Sequence, residues 1–209
     1  MQKVVVFMDF ANINRAAHDQ RIHIDYIHLL NEYLANQDEG RALQAASAYV
    51  PIDPRNEHGH DAYIKTLWEA GFVVKSKVGT IAGDTYKCNL DVEMVMDIMK
   101  SIYEIKPDIL VLASGDVDFV PMILELRNSG IYVEVAGFTN NTSSLLRERA
   151  NSFINLDVYY DEYYSNNNAQ DAEDNSDDQE VENDSNDQET ENHEDCQENA
   201  TMFKLPGQQ

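Results

Sequence analysis

A chain of 209 residues suffices for one domain of ordinary size, and its formal charge of −23 is unevenly spread. Residues 1–160 hold 14 basic and 22 acidic side chains, whereas residues 161–209 hold Lys204 against 16 acids, so the low pI belongs mainly to the tail. No stretch reaches the ~18 apolar residues of a membrane span, and the Val4–Phe7 run is too short for a signal peptide. Cys88 and Cys196 lie in unlike contexts and imply no disulfide framework. These features argue against membrane, secreted and disulfide-scaffold classes, and a reducing cytoplasm is expected.

Five short apolar runs alternate with helix-length amphipathic segments. The first, Val4–Met8, ends on Asp9. Tyr26, Leu29, Leu30, Tyr33 and Leu34 then follow helical spacing, with Asp25 as an N-cap. The second run is Ala45–Val50. Tyr63, Ile64, Leu67 and Trp68 form the next apolar stripe, stopped by Gly71. The third run is Phe72–Val78. Met94, Val95, Ile98, Met99 and Ile102 define another helix before the fourth run, Ile109–Ala113. Val120, Ile123, Leu124 and Leu126 lead to Gly130 and the fifth run, Ile131–Ala136, and Phe153–Leu156 adds an edge strand. Near-continuous apolar runs suit strands covered on both faces, so the pattern predicts a doubly wound α/β domain over residues 1–160 with parallel order 3-2-1-4-5. From Asp161 onward Asn, Asp, Glu, Gln and Ser dominate, and residues 161–209 are expected to be a disordered acidic tail.

In such a sheet, ligands bind beyond the C-terminal strand ends where the order reverses. Asp9 follows the first run, and Asp116 and Asp118 follow the fourth, so the three carboxylates would meet in one crevice. Clustered acids repel unless a cation sits among them, and Mg²⁺ suits oxygen ligands and phosphate substrates. Metal-assisted phosphodiester hydrolysis is the chemistry this pattern expects. Taken singly, Asp9 is also an ordinary turn or cap residue, and one of Asp116 and Asp118 also suits a helix cap. Asn12 suits an N-cap and a contact to phosphate or metal-bound water equally. Asp91 opens the apolar face of its helix, either as a cap or as a group facing a cleft. Asp97 falls beside Glu93 and Lys100 and reads by phase as a solvated surface acid.

Asp-Phe-Ala-Asn at 9–12, Leu-Asp-Val at 90–92 with Asp97, and Ser114-Gly115-Asp116-Val117-Asp118-Phe119 together resemble the motifs of NYN domains. The likeness is to the LabA-like group within the PIN-like nucleases. It runs over about residues 3–158, through Gly130, Val133, Val135, Ser144-Leu145 and Phe153–Leu156. The resemblance implies a PIN-like, Rossmannoid fold and a ribonuclease using Mg²⁺ or Mn²⁺ at Asp9, Asp91, Asp116 and Asp118. Asn12, Ser114 and Asp97 would support them. Cys88-Asn89 stands where the family often has Lys-Gly, and Ala150-Asn151 where it often has Ala-Asp.

A domain at −8 has few bases for phosphate. Arg15, Lys75, Lys77, Lys87 and Arg147 are the candidates for contact with single-stranded RNA. The tail offers a competitor for those bases or a site for a protein partner, and an exposed helix face leaves room for a homodimer. The alternative function is a non-catalytic RNA-binding or regulatory module. A phosphotransfer receiver fits poorly, with Gly79-Thr80 and Gly137-Phe138 where its Asp and Lys belong. So does a haloacid-dehalogenase-type phosphatase, since Phe10-Ala11 breaks the required Asp-x-Asp.

Overall fold

Residue phase along the first strand sets out the architecture. In the computed structural model, which describes residues 1–36 and 40–161, strand β1 spans Gln2–Asp9 and is buried on both faces. Val4, Val6 and Met8 join one core layer, while Val5 and Phe7 join the other. This alternation is what a central strand requires. The acidic tail from residue 162, where disorder is expected, lies outside the described residues.

Helix α1 (Phe10–Asp19) starts directly after β1. Helix α2 (Tyr26–His28) is capped as expected by Asp25, which accepts from the Ile27 and His28 N–H groups, and it continues into a π-helical stretch, Leu29–Leu34. The wider π turn still buries Leu29, Leu30 and Leu34. Strand β2 (Arg41–Ile52), helix α3 (Asp61–Glu69) and strand β3 (Val73–Val78) follow. A small antiparallel pair, β4 (Thr80–Ala82) and β5 (Thr85–Lys87), then leads into α4 (Asp91–Glu104). Strand β6 (Ile109–Ala113), a 3-10 turn (Val117–Phe119), α5 (Val120–Asn128), β7 (Tyr132–Gly137), α6 (Ser144–Arg149) and β8 (Ser152–Asn155) complete the order, with residues 156–161 helical.

The main sheet has the order β3-β2-β1-β6-β7-β8 with every pairing parallel. That is the expected 3-2-1-4-5 arrangement with the extra edge strand. Gly71 (φ +100°) and Gly130 (φ +84°) end their helices in the left-handed region that favours glycine. One core layer holds α1, α2 and Leu67 of α3, and the other holds α4 and α5.

Trp68 departs from its predicted place. It is 61% exposed, because Ile64 and Leu67 turn the inner face of α3 to the core and carry Trp68 outward. No helix among the described residues is long and apolar enough to cross a membrane.

Candidate functional site

The alternation that splits the core also aims the site. Val5 and Phe7 of β1, and Leu110 and Leu112 of β6, face the α4–α5 layer. Two residues further along each strand come Asp9 and Ser114, on the same side of neighbouring strands at the reversal of strand order. The fully buried Ser114 hydroxyl donates to Asp9 Oδ2 (3.2 Å) and accepts from the Asp116 N–H (3.2 Å). One side chain thus ties together the ends of two distant strands.

Asp9 is also the N-cap of α1, its Oδ1 accepting from the Asn12 N–H (3.2 Å). The cap is therefore Asp9, and Asn12 lies inside the helix. The Asn12 Oδ1 accepts from the Gly115 N–H (2.8 Å) and from Asn141 Nδ2 (2.9 Å). A Cβ on Gly115 would collide with the Asn141 carbonyl, so this close approach needs glycine. Asn12 and Asn141 together fix the loop that carries Asp116 and Asp118.

Asp91 enters from a third element, the first turn of α4. It does not cap that helix. Asn89 holds it instead, donating Nδ2 to Asp91 Oδ2 (2.8 Å) and accepting the Asp91 N–H at its Oδ1 (2.7 Å). Asp116 caps the 3-10 turn by accepting from the Asp118 N–H (2.9 Å), so the Asp118 carboxylate is not needed for that cap. An open cavity of about 400 Å³ is lined by Asp9, Asn12, Arg15, Tyr49, Asp91 and Asn141, among others. Asp116 and Asp118 lie outside its wall, yet near enough for their charges to act on it.

The electrostatics record that convergence. Burial pushes the Asp9 carboxyl up to about 6; the Asp91 and Asp116 charges add to this, against hydrogen bonds from Asn12 and Ser114. Burial also raises Asp91, with further upward pressure from Asp116, Asp118 and Glu93 and a downward pull from Asn89. Among the described residues no Lys, Arg or His forms an ion pair with any of the four acids. Repelling, partly buried carboxylates facing an open cavity form a donor set for a hard cation. No group of three or more acid, His or Cys side chains among the described residues is close enough to enclose an ion. An ion held there would take one or two carboxylates directly and keep water on its other faces, as Mg²⁺ does. Cys88, at the same wall, donates its thiol to the Lys77 carbonyl (3.2 Å), and burial pushes it up, away from a nucleophilic thiolate.

Asp97 is not the solvated acid its helical phase suggests. It accepts from the Tyr49 hydroxyl (2.6 Å) and pairs with Lys75. Burial pushes Asp97 up, but the hydrogen bonds from Lys75 and Tyr49 and the Lys75 charge outweigh it and hold the carboxyl below its ordinary value. The phase argument failed because β2 and β3 reach across to that side of α4. Of the five bases considered for RNA, Arg15 lines the cavity. Lys75 is paired with Asp97 and Lys77 with Glu93, Lys87 lies on β5, and Arg147 sits 5.4 Å from the Phe153 ring centre. Sequence reasoning missed Asn89, Asn141 and Tyr49. For Asn89 a signal existed, since Asn just before a helix favours side-chain bonding to its first N–H groups.

The NYN domain family model matches residues 3–157. The low amplitude and bright protein LabA of Synechococcus elongatus is 27% identical over 161 residues, covering 74% of this chain and 83% of that protein. A Vibrio parahaemolyticus protein of unknown function has a similar fold, with a TM-score of 0.61 and 24% identity over 74% of this chain and 92% of its own.

Proposed function

Because the chain belongs to the NYN domain family, within the PIN-like nuclease superfamily, we propose that it is a ribonuclease whose Asp9–Asp91–Asp116–Asp118 cleft hydrolyses RNA phosphodiester bonds with Mg²⁺ or Mn²⁺. The observation that carries this reading is the meeting of acids from three chain segments, with no cation paired to them among the described residues, beside an open polar cavity. Asp9 and Asp91, at the cavity wall, would hold the ion directly, and Asp116 and Asp118 would bind its waters. When bound, such an ion activates water and stabilises charge on phosphoryl oxygens.

The remaining roles belong to the chain's own side chains. Ser114 and Asn12 set the spacing between Asp9 and the Asp116 loop. Asn89 fixes the rotamer of Asp91. Arg15, unpaired among the described residues, reaches substrate phosphate. Lys75 and Lys77 would have to leave Asp97 and Glu93 to do the same.

The test is cleavage of end-labelled single-stranded RNA by the purified chain with Mn²⁺. Losing a group that merely orients a ligand costs metal sites about 10–100-fold, so Asp116→Asn should lower the rate by up to about 100-fold and Asp9→Asn, which removes a direct ligand, by more than that. Unchanged cleavage in either variant would remove the reading. A second reading, an RNA-binding module without catalysis, draws on the lack of an enclosing group of three ligands among the described residues. It predicts RNA binding with no Mn²⁺-dependent cleavage.

A further inference from the structure

Asn89 and Asp91 line a second cavity as well as the first, so they stand between the two. This second space measures about 370 Å³ and differs in chemistry from the first. Its walls include Val92, Val95 and Met96 of α4, with Phe119 and Asp118 from the loop after β6. Val92 and Met96 lie one helical turn apart on one face and are 71% and 66% exposed. Phe119 is buried and packs in the α4–α5 core, which fixes that side of the cavity.

The walls carry two acids and no base, so a phosphate has no partner there. A flat, uncharged ring with N–H groups on its edge does: its faces meet aliphatic and thioether surface, and its edge meets a carboxylate acceptor. Sulfur against an aromatic ring is a favourable contact, and Asp recognises the amino edge of bases. Resting on the ribonuclease reading above, the geometry points to a nucleobase subsite. An unpaired base of the RNA strand enters against Val92 and Met96, with its N–H edge toward Asp118, while the adjoining phosphate lies over Asp91. Single-stranded RNA is commonly read through splayed-out bases of this kind. A second copy of the chain is the competing occupant, since Tyr103 on the same helix is also exposed. Self-pairing at this cavity would bring Asp91 and Asp118 of both copies together, and like charges oppose it.

The test uses the full chain in the Asp116→Asn background, so that labelled single-stranded RNA stays intact during binding with Mn²⁺. Val92→Ser/Met96→Ser should bind about tenfold more weakly, the scale of one lost base contact. Melting temperature and Mn²⁺ affinity should not change. An abasic site moved along the RNA should give the same loss at one position, and in the double variant that position should cost nothing more. Equal affinity of variant and parent, or losses that add, would overturn the subsite and leave the nuclease reading standing. A parental chain that neither binds nor cuts RNA would overturn both. A wild-type dimer converted to monomer by the substitutions, with RNA affinity unchanged, would assign the face to self-association and overturn the subsite.

Discussion

Asp9 answers to two neighbours at once, capping α1 through one oxygen and receiving the Ser114 hydroxyl through the other. Both bonds favour the charged form, yet burial, Asp91 and Asp116 outweigh them and lift the carboxyl to about 6 from an ordinary 3.8. The folded state therefore holds a proton between those values that the unfolded chain has released. The contribution of this group to stability is full below about pH 4 and falls as pH rises through 6, by roughly 3 kcal/mol in all. Asp9→Asn keeps a cap acceptor and removes the charge. In EDTA at pH 7.5 it should melt above wild type, and its advantage should fade as the pH is lowered to about 4. Added Mn²⁺ should raise the melting temperature of wild type and leave Asp9→Asn nearly unmoved. Equal melting of the two proteins across that range would show that the buried charge is already neutralised by something else.

At the scale of elements, strands were legible because a buried parallel strand must be apolar on both faces, as β1 and β6 are. Helix α1 was not, because its start coincides with the end of β1 and its cap was already counted as a candidate ligand. The β4–β5 pair was hidden too, since Thr80–Ala82 and Thr85–Lys87 are too short for any period to emerge. Arg55 holds that pair down, donating to the Asp84 carbonyl (2.7 Å) while paired with Asp53, a long-range contact that local pattern cannot reveal. Of the candidate site, the acids were readable as motif residues, as were the supports Asn12 and Ser114, whereas Asn89, Asn141 and Tyr49 were not. Asp97 was legible as a motif residue, but its partners were not. Its helix phase is right, but tertiary packing brings Tyr49 and Lys75 to it. Asp97→Ala strands the Tyr49 hydroxyl and should cost about 1–2 kcal/mol in urea unfolding. RNA cleavage should fall far less than with Asp91→Ala. A loss of activity matching Asp91→Ala, with stability unchanged, would make Asp97 a direct participant.

For the whole molecule, charge sets the terms for the proposed binding of RNA. With Lys75 and Lys77 held by carboxylates, Arg15, Lys87 and Arg147 are the bases of the original set left for phosphate. Three contacts to a single strand, at about 0.7 each, give a slope near −2 for log affinity against log salt. Fluorescence anisotropy between about 50 and 200 mM salt measures it. A slope of about −3.5, that of five contacts, would mean that Lys75 and Lys77 abandon Asp97 and Glu93 on binding.

The strand order has a consequence for how this protein is born. β1 is made first, yet it sits in the middle of the sheet, with β2 on one side and β6 on the other. Ser114, which locks Asp9, follows it by 105 residues. At translation speeds of about 5–20 residues per second, that is roughly 5–20 s in which β1 has at most one neighbour. Throughout that interval the Asp9 carboxylate waits without its hydroxyl partner. A ribosome-bound chain thus acquires its cleft only once β6 and the loop behind it have emerged, so the candidate site is completed late, when the second half of the domain folds.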